Sequence, residues 1–158
     1  MRLKKTIQST KKASPVLTEA KQFEDNALIA LRNAGFRITM PRVLVIRALA
    51  TTTVALSAYA IHEKIIATDG KTDVVSVYRI LSTLQEIGMI YHIGVVDGYF
   101  PCRLPDSTQF SEVLVNDTTS EVIELDFPEH ILEEIKKQGI EHRFDPKSVK
   151  IEIIGQKA

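Results

Sequence analysis

The hydrophobic period of this chain changes at Gly88, and that change limits what it can fold into. Over residues 72–88 (TDVVSVYRILSTLQEIG) the apolar positions recur at helical spacing. At roughly 100° per residue, Val74, Val77, Ile80, Leu81, Leu84 and Ile87 share one arc, which leaves Val75, Tyr78, Arg79 and Ser82 on the other side. Directly after it, two β-rich runs, 89–95 and 99–104, flank Asp97-Gly98, a dipeptide that favours a tight hairpin link. An amphipathic helix running straight into a hairpin calls for an α+β fold.

Upstream, the punctuation is helical. Thr18 can cap a helix to about Ala34, with Phe23, Ala27, Ala30, Leu31 and Ala34 on one face and Gly35 as its left-handed stop. Pro41 suits the first turn of a second helix, carrying Val43, Ile46, Leu49 and Ala50. After a polar loop over 51–53, Ser57 caps a third helix that Gly70 ends, and Asp73 caps the fourth. Helices followed by a hairpin spell a winged helix-turn-helix, whose last helix enters the DNA major groove. Its solvent side has suitable chemistry: Arg79 can pair bidentately with guanine, and Tyr78 and Val75 can meet a thymine methyl or a phosphate. The bland alternative is an ordinary surface helix in a small α+β domain.

Charge supports the first reading. The formal net charge is zero, yet residues 1–50 carry ten Lys/Arg against three Asp/Glu, residues 51–100 three against five, and residues 101–158 seven against twelve. Phosphate affinity follows local positive charge, so the basic first third suits nucleic acid while the acidic last third suits another task. Residues 1–17 hold five of those ten cations and no acid, and read as a flexible basic arm; an organelle transit peptide is the lesser alternative, with only one Arg. No run approaches the roughly 18 apolar residues of a membrane span. A single cysteine excludes an internal disulfide and any paired-cysteine zinc site, which fits a cytoplasmic protein. No nucleophile-and-base pairing or Gly-rich phosphate loop points to catalysis.

Several motifs in order carry a family resemblance. Residues 34–42 read Ala-Gly-Phe-Arg-Ile-Thr-Met-Pro-Arg, Ser57-Ala58 opens the third helix, and Ser76-Val77-Tyr78-Arg79 is followed by Leu81, Glu86 and Gly88. Residues 28–104 thus resemble the DNA-binding domain of the ferric-uptake-regulator family. The resemblance implies that Tyr78 and Arg79 reach bases and phosphates and that Arg37 reaches toward the minor groove. With the rest of the exposed helix face and the signature arginine, the expected DNA-facing set is Arg37, Arg42, Val75, Ser76, Tyr78, Arg79 and Ser82. Beyond a linker at 105–111, strand-like runs at 112–115 and 121–125, a helix opened by Pro128 and ended at Gly139, and a strand at 149–154 resemble the family's β-β-α-β dimerisation domain. The domain plan is therefore an arm (1–17), a winged helix (18–104), the linker (105–111) and a dimerisation domain (112–158).

The departures are equally definite. The family places a His-rich metal-sensing segment after the wing and often a structural zinc on two C-x-x-C pairs, but residues 106–118 contain neither His nor Cys. Glu112 and Glu124 are the remaining carboxylates at positions the family can use, a pair suited only to weak binding of a hard cation. Cys102 falls where the wing of zinc-uptake regulators has a sensory ligand. A hairpin folded tightly about 97–98 would put Cys102 opposite Ile93, with Tyr91 on its face and His92 on the other. Cys102 then reads as a small apolar wing residue, with a thiol sensor or heme ligand as alternatives. His62, His130 and His142 lie scattered, and Glu133 can pair with Lys137. The expectation is a dimeric, sequence-specific transcriptional regulator acting on double-stranded DNA, a repressor by resemblance, with no cofactor predicted. The alternatives are an interaction protein working through its acidic C-terminal domain, and a metal-responsive repressor with a non-standard zinc or other divalent site at Cys102, Glu112 and Glu124.

Overall fold

The computed structural model describes residues 15–104 and 110–158. The expected arm up to residue 14 and most of the linker lie outside the described residues. Four helices come first: α1 (Pro15–Asn33), α2 (Met40–Ala50), α3 (Ala58–Ala67) and α4 (Val74–Glu86). Helix α1 starts one turn earlier than expected, with Thr18 inside it. Pro15 fits a first helical turn, but Val16 and Leu17 are exposed and the first buried residue is Ala20, so apolar periodicity alone does not announce that turn.

The caps follow the sequence closely. The Ala60 N–H donates to Ser57 Oγ (3.1 Å) and the Ser76 N–H to Asp73 Oδ1 (2.8 Å). Gly35 takes φ +84° while the Phe36 N–H donates to the Leu31 carbonyl (2.9 Å), so glycine ends α1 as expected. Gly70 acts differently. Asp69 supplies the left-handed residue after α3, and Gly70 is needed because a Cβ there would lie 2.6 Å from Ile65 Cγ2.

These helices bury one apolar cluster, centred on Phe23, Leu31, Ile46, Leu49, Ile61, Leu81 and Leu84. The wing follows as β1 (Ile90–Ile93) and β2 (Gly98–Pro101), antiparallel with Ile90 opposite Pro101 and Ile93 opposite Gly98. The expected tight turn at 97–98 is corrected here. A single 3₁₀ turn, Gly94–Val96, and Asp97 in the left-handed region (φ 45°) make the link, which shifts the register by four residues. An even shift leaves every side chain on its expected face.

The C-terminal unit has β3 (Phe110–Asn116), β4 (Val122–Glu124), α5 (Glu129–Glu141) and β5 (Val149–Gly155), with strand order β4-β3-β5. β3 pairs antiparallel with β4 and parallel with β5, with α5 in the crossover between β4 and β5. Helix α5 runs past Gly139, contrary to expectation. Arg143 takes the left-handed conformation (φ 64°) and the Phe144 N–H donates to the Gly139 carbonyl (2.9 Å), so the stop comes four residues later. Lys137 pairs with Glu134 (3.9 Å) rather than with Glu133.

A second cluster joins the two units. Ala55, Tyr91, Ile93 and Phe100 from the N-terminal unit pack with Val113, Val115 and Val122 of the sheet. The 51–53 loop takes part through its backbone. Ala55 donates to the Ser120 carbonyl (2.8 Å) and Val122 to the Thr53 carbonyl (3.1 Å), which bridges Val54 with Glu121.

Candidate nucleic-acid interface

Val77, Ile80, Leu81 and Leu84 of α4 are buried, while Val75, Tyr78, Arg79 and Ser82 are exposed, as the helical arc requires. Val75 and Tyr78, at 55% and 44% exposure, are large apolar surfaces kept in water on a helix whose other face is core. The two serines are more committed. Ser76 Oγ donates to Asp73 Oδ2 (2.8 Å) and Ser82 Oγ to the Tyr78 carbonyl (3.1 Å), so these hydroxyls already have partners on their own helix. The Ser76 bonds hold the Asp73 carboxyl below its ordinary value, keeping the N-cap ionised at the positive end of the helix dipole.

Sequence reasoning missed Tyr59. Its ring lies edge-on to that of Tyr78, centroids 6.3 Å apart, and it is 62% exposed on the first turn of α3. An aromatic residue directly after the Ser57-Ala58 helix start, off the apolar stripe of Ile61 and Ile65, was the available signal. Tyr59, Val75, Tyr78 and Arg79 thus form one surface spanning two helices.

The two arginines of the 34–42 element diverge. Arg37 is exposed in the loop between α1 and α2. Arg42 turns back: one guanidinium nitrogen donates to the Arg37 carbonyl (2.5 Å), and the group lies over the Phe36 ring, 5.3 Å from its centroid. Arg42 therefore braces the loop that presents Arg37. Arg47 and Lys21 are engaged by Glu24 (2.9 Å) and Asp25 (3.3 Å).

Of the candidate metal residues, Cys102 and Glu124 both lie beside the Tyr91 hydroxyl, while Glu112 is apart from them. Val113 is paired with Glu124, so side-chain alternation puts Glu124 on the wing side of the sheet and Glu112 on the opposite side. Glu112 is buried, and its carboxylate accepts from the Phe127 N–H (3.3 Å). Glu124 is surrounded by donors: the Arg103 N–H (3.0 and 3.1 Å to its two oxygens), the Leu104 N–H (3.2 Å) and the Tyr91 hydroxyl (3.1 Å). Tyr91 also lies 3.0 Å from Cys102 Sγ. A phenol has one proton, and an ionised carboxylate is a much better acceptor than sulfur, so that proton belongs to Glu124. Cys102 is half-buried and packs against the second cluster. His92 faces away beside Tyr99, its Nε2 2.9 Å from Asp97, while the His62 ring meets the Thr72 carbonyl (3.0 Å), and His130 and His142 are exposed. Among the described residues, no three His, Cys, Asp or Glu side chains gather into a metal site. The wing position of a sensory metal thus offers a phenol, one thiol and a carboxylate that already accepts from three donors, a set that does not fit zinc.

Residue 103 does more than its sequence suggests. Its Nη2 donates to the Ala50 and Thr52 carbonyls (3.0 and 2.6 Å), at the C-terminal end of α2, where a cation also meets the negative end of the helix dipole. Burial lowers the guanidinium pKa, and the Glu124 carboxylate opposes that shift.

This architecture is shared with known proteins. A solved zinc uptake regulator, complexed with zinc and DNA, superposes with a TM-score of 0.75 at 22% identity, over 93% of this chain and 95% of that one. The ferric uptake regulator of Pseudomonas aeruginosa, solved with manganese, gives 0.60 at 22% identity, over 83% and 97%. In sequence, the ferric uptake regulation protein of Pseudomonas fluorescens is 28% identical over 117 residues, 73% of this chain and 93% of its own length. Residues 33–154 match the ferric uptake regulator family, from the end of α1 to the last strand, and the chain belongs to that family.

Proposed function

We propose that this chain is a dimeric DNA-binding transcriptional regulator that reads sequence through α4 and needs no zinc to do so. The observation that carries the reading is the continuous surface of Tyr59, Val75, Tyr78 and Arg79 on the solvent side of a helix-turn-helix. Arg79 serves as the base-reading cation. Tyr78, Val75 and Tyr59 supply apolar contact to thymine methyls or pack against sugar-phosphate. Arg37, presented by the Arg42 brace, reaches for the adjacent groove or backbone, while Ser76 and Ser82 contribute by shape and by holding the helix start and its middle turn. Repression follows as the sign of regulation if the site overlaps a promoter. The reading places the protein in the cytoplasm with its DNA, and among the described residues no helix is long and apolar enough to cross a membrane.

The dimer is supported by what the C-terminal unit leaves uncovered. Leu114, Ile123 and Ile153 share the face of the sheet turned from the wing, and Ile131, Ile135 and Ile140 are exposed on α5, which has no buried residue. So much apolar surface on one small unit is the mark of an interface. A two-fold pairing through it sets the separation of two α4 helices, and so the spacing of DNA half-sites. Selection of bound duplexes from a random pool, with zinc and with chelator, tests the whole reading. A two-fold symmetric consensus recovered under both conditions supports it; recovery only with metal overturns the zinc independence, and no consensus overturns the DNA reading.

A further inference from the structure

We propose that Glu124 is the hub of a hydrogen-bonded clamp that stands where a sensory metal would join the wing to the C-terminal sheet, so that the joint closes with protein groups alone. The inference deepens the proposed function and rests on it only for the consequence at DNA.

A metal at such a joint has one mechanical effect. It binds groups from two units at once and makes their relative placement favourable. Glu124 does the same with opposite charge. It reaches from β4 to the Arg103 and Leu104 main-chain N–H groups, just beyond the wing, and to the Tyr91 hydroxyl of β1. Three donors from two segments of the N-terminal unit thus converge on one carboxylate, and hydrogen bonds to an ionised acceptor are the strong kind. The Arg103 side chain extends the clamp inward: as its own N–H binds Glu124, its guanidinium holds the Ala50 and Thr52 carbonyls and lies over the Phe100 ring at 5.1 Å. One residue therefore couples the end of α2, the wing and the sheet.

The far end of the wing is held separately. The Gly94 N–H donates to Glu152 Oε1 (3.4 Å), and Lys150 donates to the His92 carbonyl while pairing with Glu152 (2.8 Å). Between the two ends lie the buried Tyr91, Ile93, Phe100, Val113 and Val115. The joint is apolar in the middle and clamped by a carboxylate at each end, with Glu124 the better satisfied. Glu124, Tyr91 and Arg103 act as positioning residues, since they fix where the wing sits relative to the dimerisation unit and lie outside the exposed face of α4.

The test reads amide hydrogen exchange in the full chain, with and without chelator, at Arg103 and Leu104. In the unaltered protein both amides should be protected, and a chelator should change their rates by less than about twofold. Glu124→Gln, isosteric but uncharged, should speed exchange at both by about tenfold or more while the α1–α3 amides stay unchanged. Tyr91→Phe, which removes one donor and keeps the ring, should give a smaller rise at the same two amides. Rapid exchange at Arg103 and Leu104 in the unaltered protein, chelator-induced loss of their protection, or a Glu124→Gln variant that exchanges like the parent would each overturn the clamp. The affinity of each variant for DNA selected from the random pool is measured in parallel, with a loss expected for Glu124→Gln that added zinc does not restore. Altered exchange without any DNA binding would leave the clamp standing and remove the DNA reading alone.

Discussion

Gly98→Ala isolates the contact on which the position of the wing depends. Gly98 opens β2 with a φ that any residue can adopt, so the glycine is required by space rather than by conformation. A methyl built there lies 2.8 Å from Ala55 Cβ, 3.0 Å from the Ala55 carbonyl carbon and 3.2 Å from the Leu56 nitrogen. Carbon atoms in contact prefer about 3.5–4.0 Å, and these three neighbours are a methyl and two main-chain atoms with no rotamer to yield. The wing must therefore retreat, stretching the reciprocal bonds by which Leu56 and Tyr99 exchange N–H and carbonyl at 2.9 and 2.7 Å. Overpacking of this kind costs about 1–3 kcal/mol, and lengthening two backbone bonds adds a fraction of the roughly 1 kcal/mol each is worth, so a loss of about 2–3 kcal/mol is expected. Urea unfolding at matched protomer concentration reads it as a midpoint lowered by about 1 M or more. Gly94→Ala is the control, because nothing lies within 4 Å of a Cβ there and its φ is not left-handed; it should stay within about 0.5 kcal/mol of the parent or gain slightly. Equal stability of Gly98→Ala and the parent, or equal losses at the two glycines, would refute the steric argument.

Arg79→Ala should cost about 1–3 kcal/mol on the selected DNA, read by equilibrium titration, and much less on random duplex; equal losses on both would remove its base-reading role. Ile123→Glu puts a charge into the uncovered sheet face and should convert dimer to monomer in sedimentation at micromolar protein, whereas an unchanged mass would move the interface elsewhere. The Ser76 bonds keep the folded-state pKa of Asp73 below its ordinary 3.8. A depressed carboxyl stabilises the fold above its unfolded value and ceases to do so as pH falls through the folded one. The stability gap between the parent and Asp73→Asn should therefore narrow from pH 6 toward pH 3, and a gap that does not change with pH would contradict the cap.

What could be read in advance followed from local rules. The apolar arc of α4, the Ser57 and Asp73 caps and the Gly35 stop depend on residues within a turn or two of one another, and each is where periodicity placed it. What was misplaced depends on packing and main-chain conformation that no residue pattern announces. Gly70 and Gly98 look like turn glycines, but each makes room for a neighbour, Ile65 and Ala55 respectively, and an Asp-Gly pair shows nothing of Ala55. The wing register was off by four because a 3₁₀ turn and a left-handed Asp97 make the link, yet the face of Cys102 was right because parity survives an even shift. Arg42 and Arg103 were legible as cations only. That one braces a loop and the other caps α2 depends on carbonyls 5 and about 50 residues away, which no linear pattern reports.

The departure from the metal-sensing pattern has an energetic side that the donor count makes explicit. To take Glu124 as a ligand, a metal must compete with the half-buried Arg103 N–H, the exposed Leu104 N–H and the hydroxyl of the buried Tyr91. Leaving the buried Tyr91 hydroxyl unpaired costs about 1–3 kcal/mol by itself, so about 1 kcal/mol or more is subtracted from binding, a weakening of about fivefold or more. The return would be one thiolate and one carboxylate, half the four ligands of a closed zinc site, with Glu112 on the other side of the sheet and no imidazole on the face of Cys102. Tyr91 therefore does two things together: it is a poor metal donor, and it supplies a proton that helps satisfy the carboxylate. The same hydroxyl that disfavours the metal helps close the joint without it, which is why Tyr91, more than Cys102, marks this chain's departure from a zinc-sensing wing.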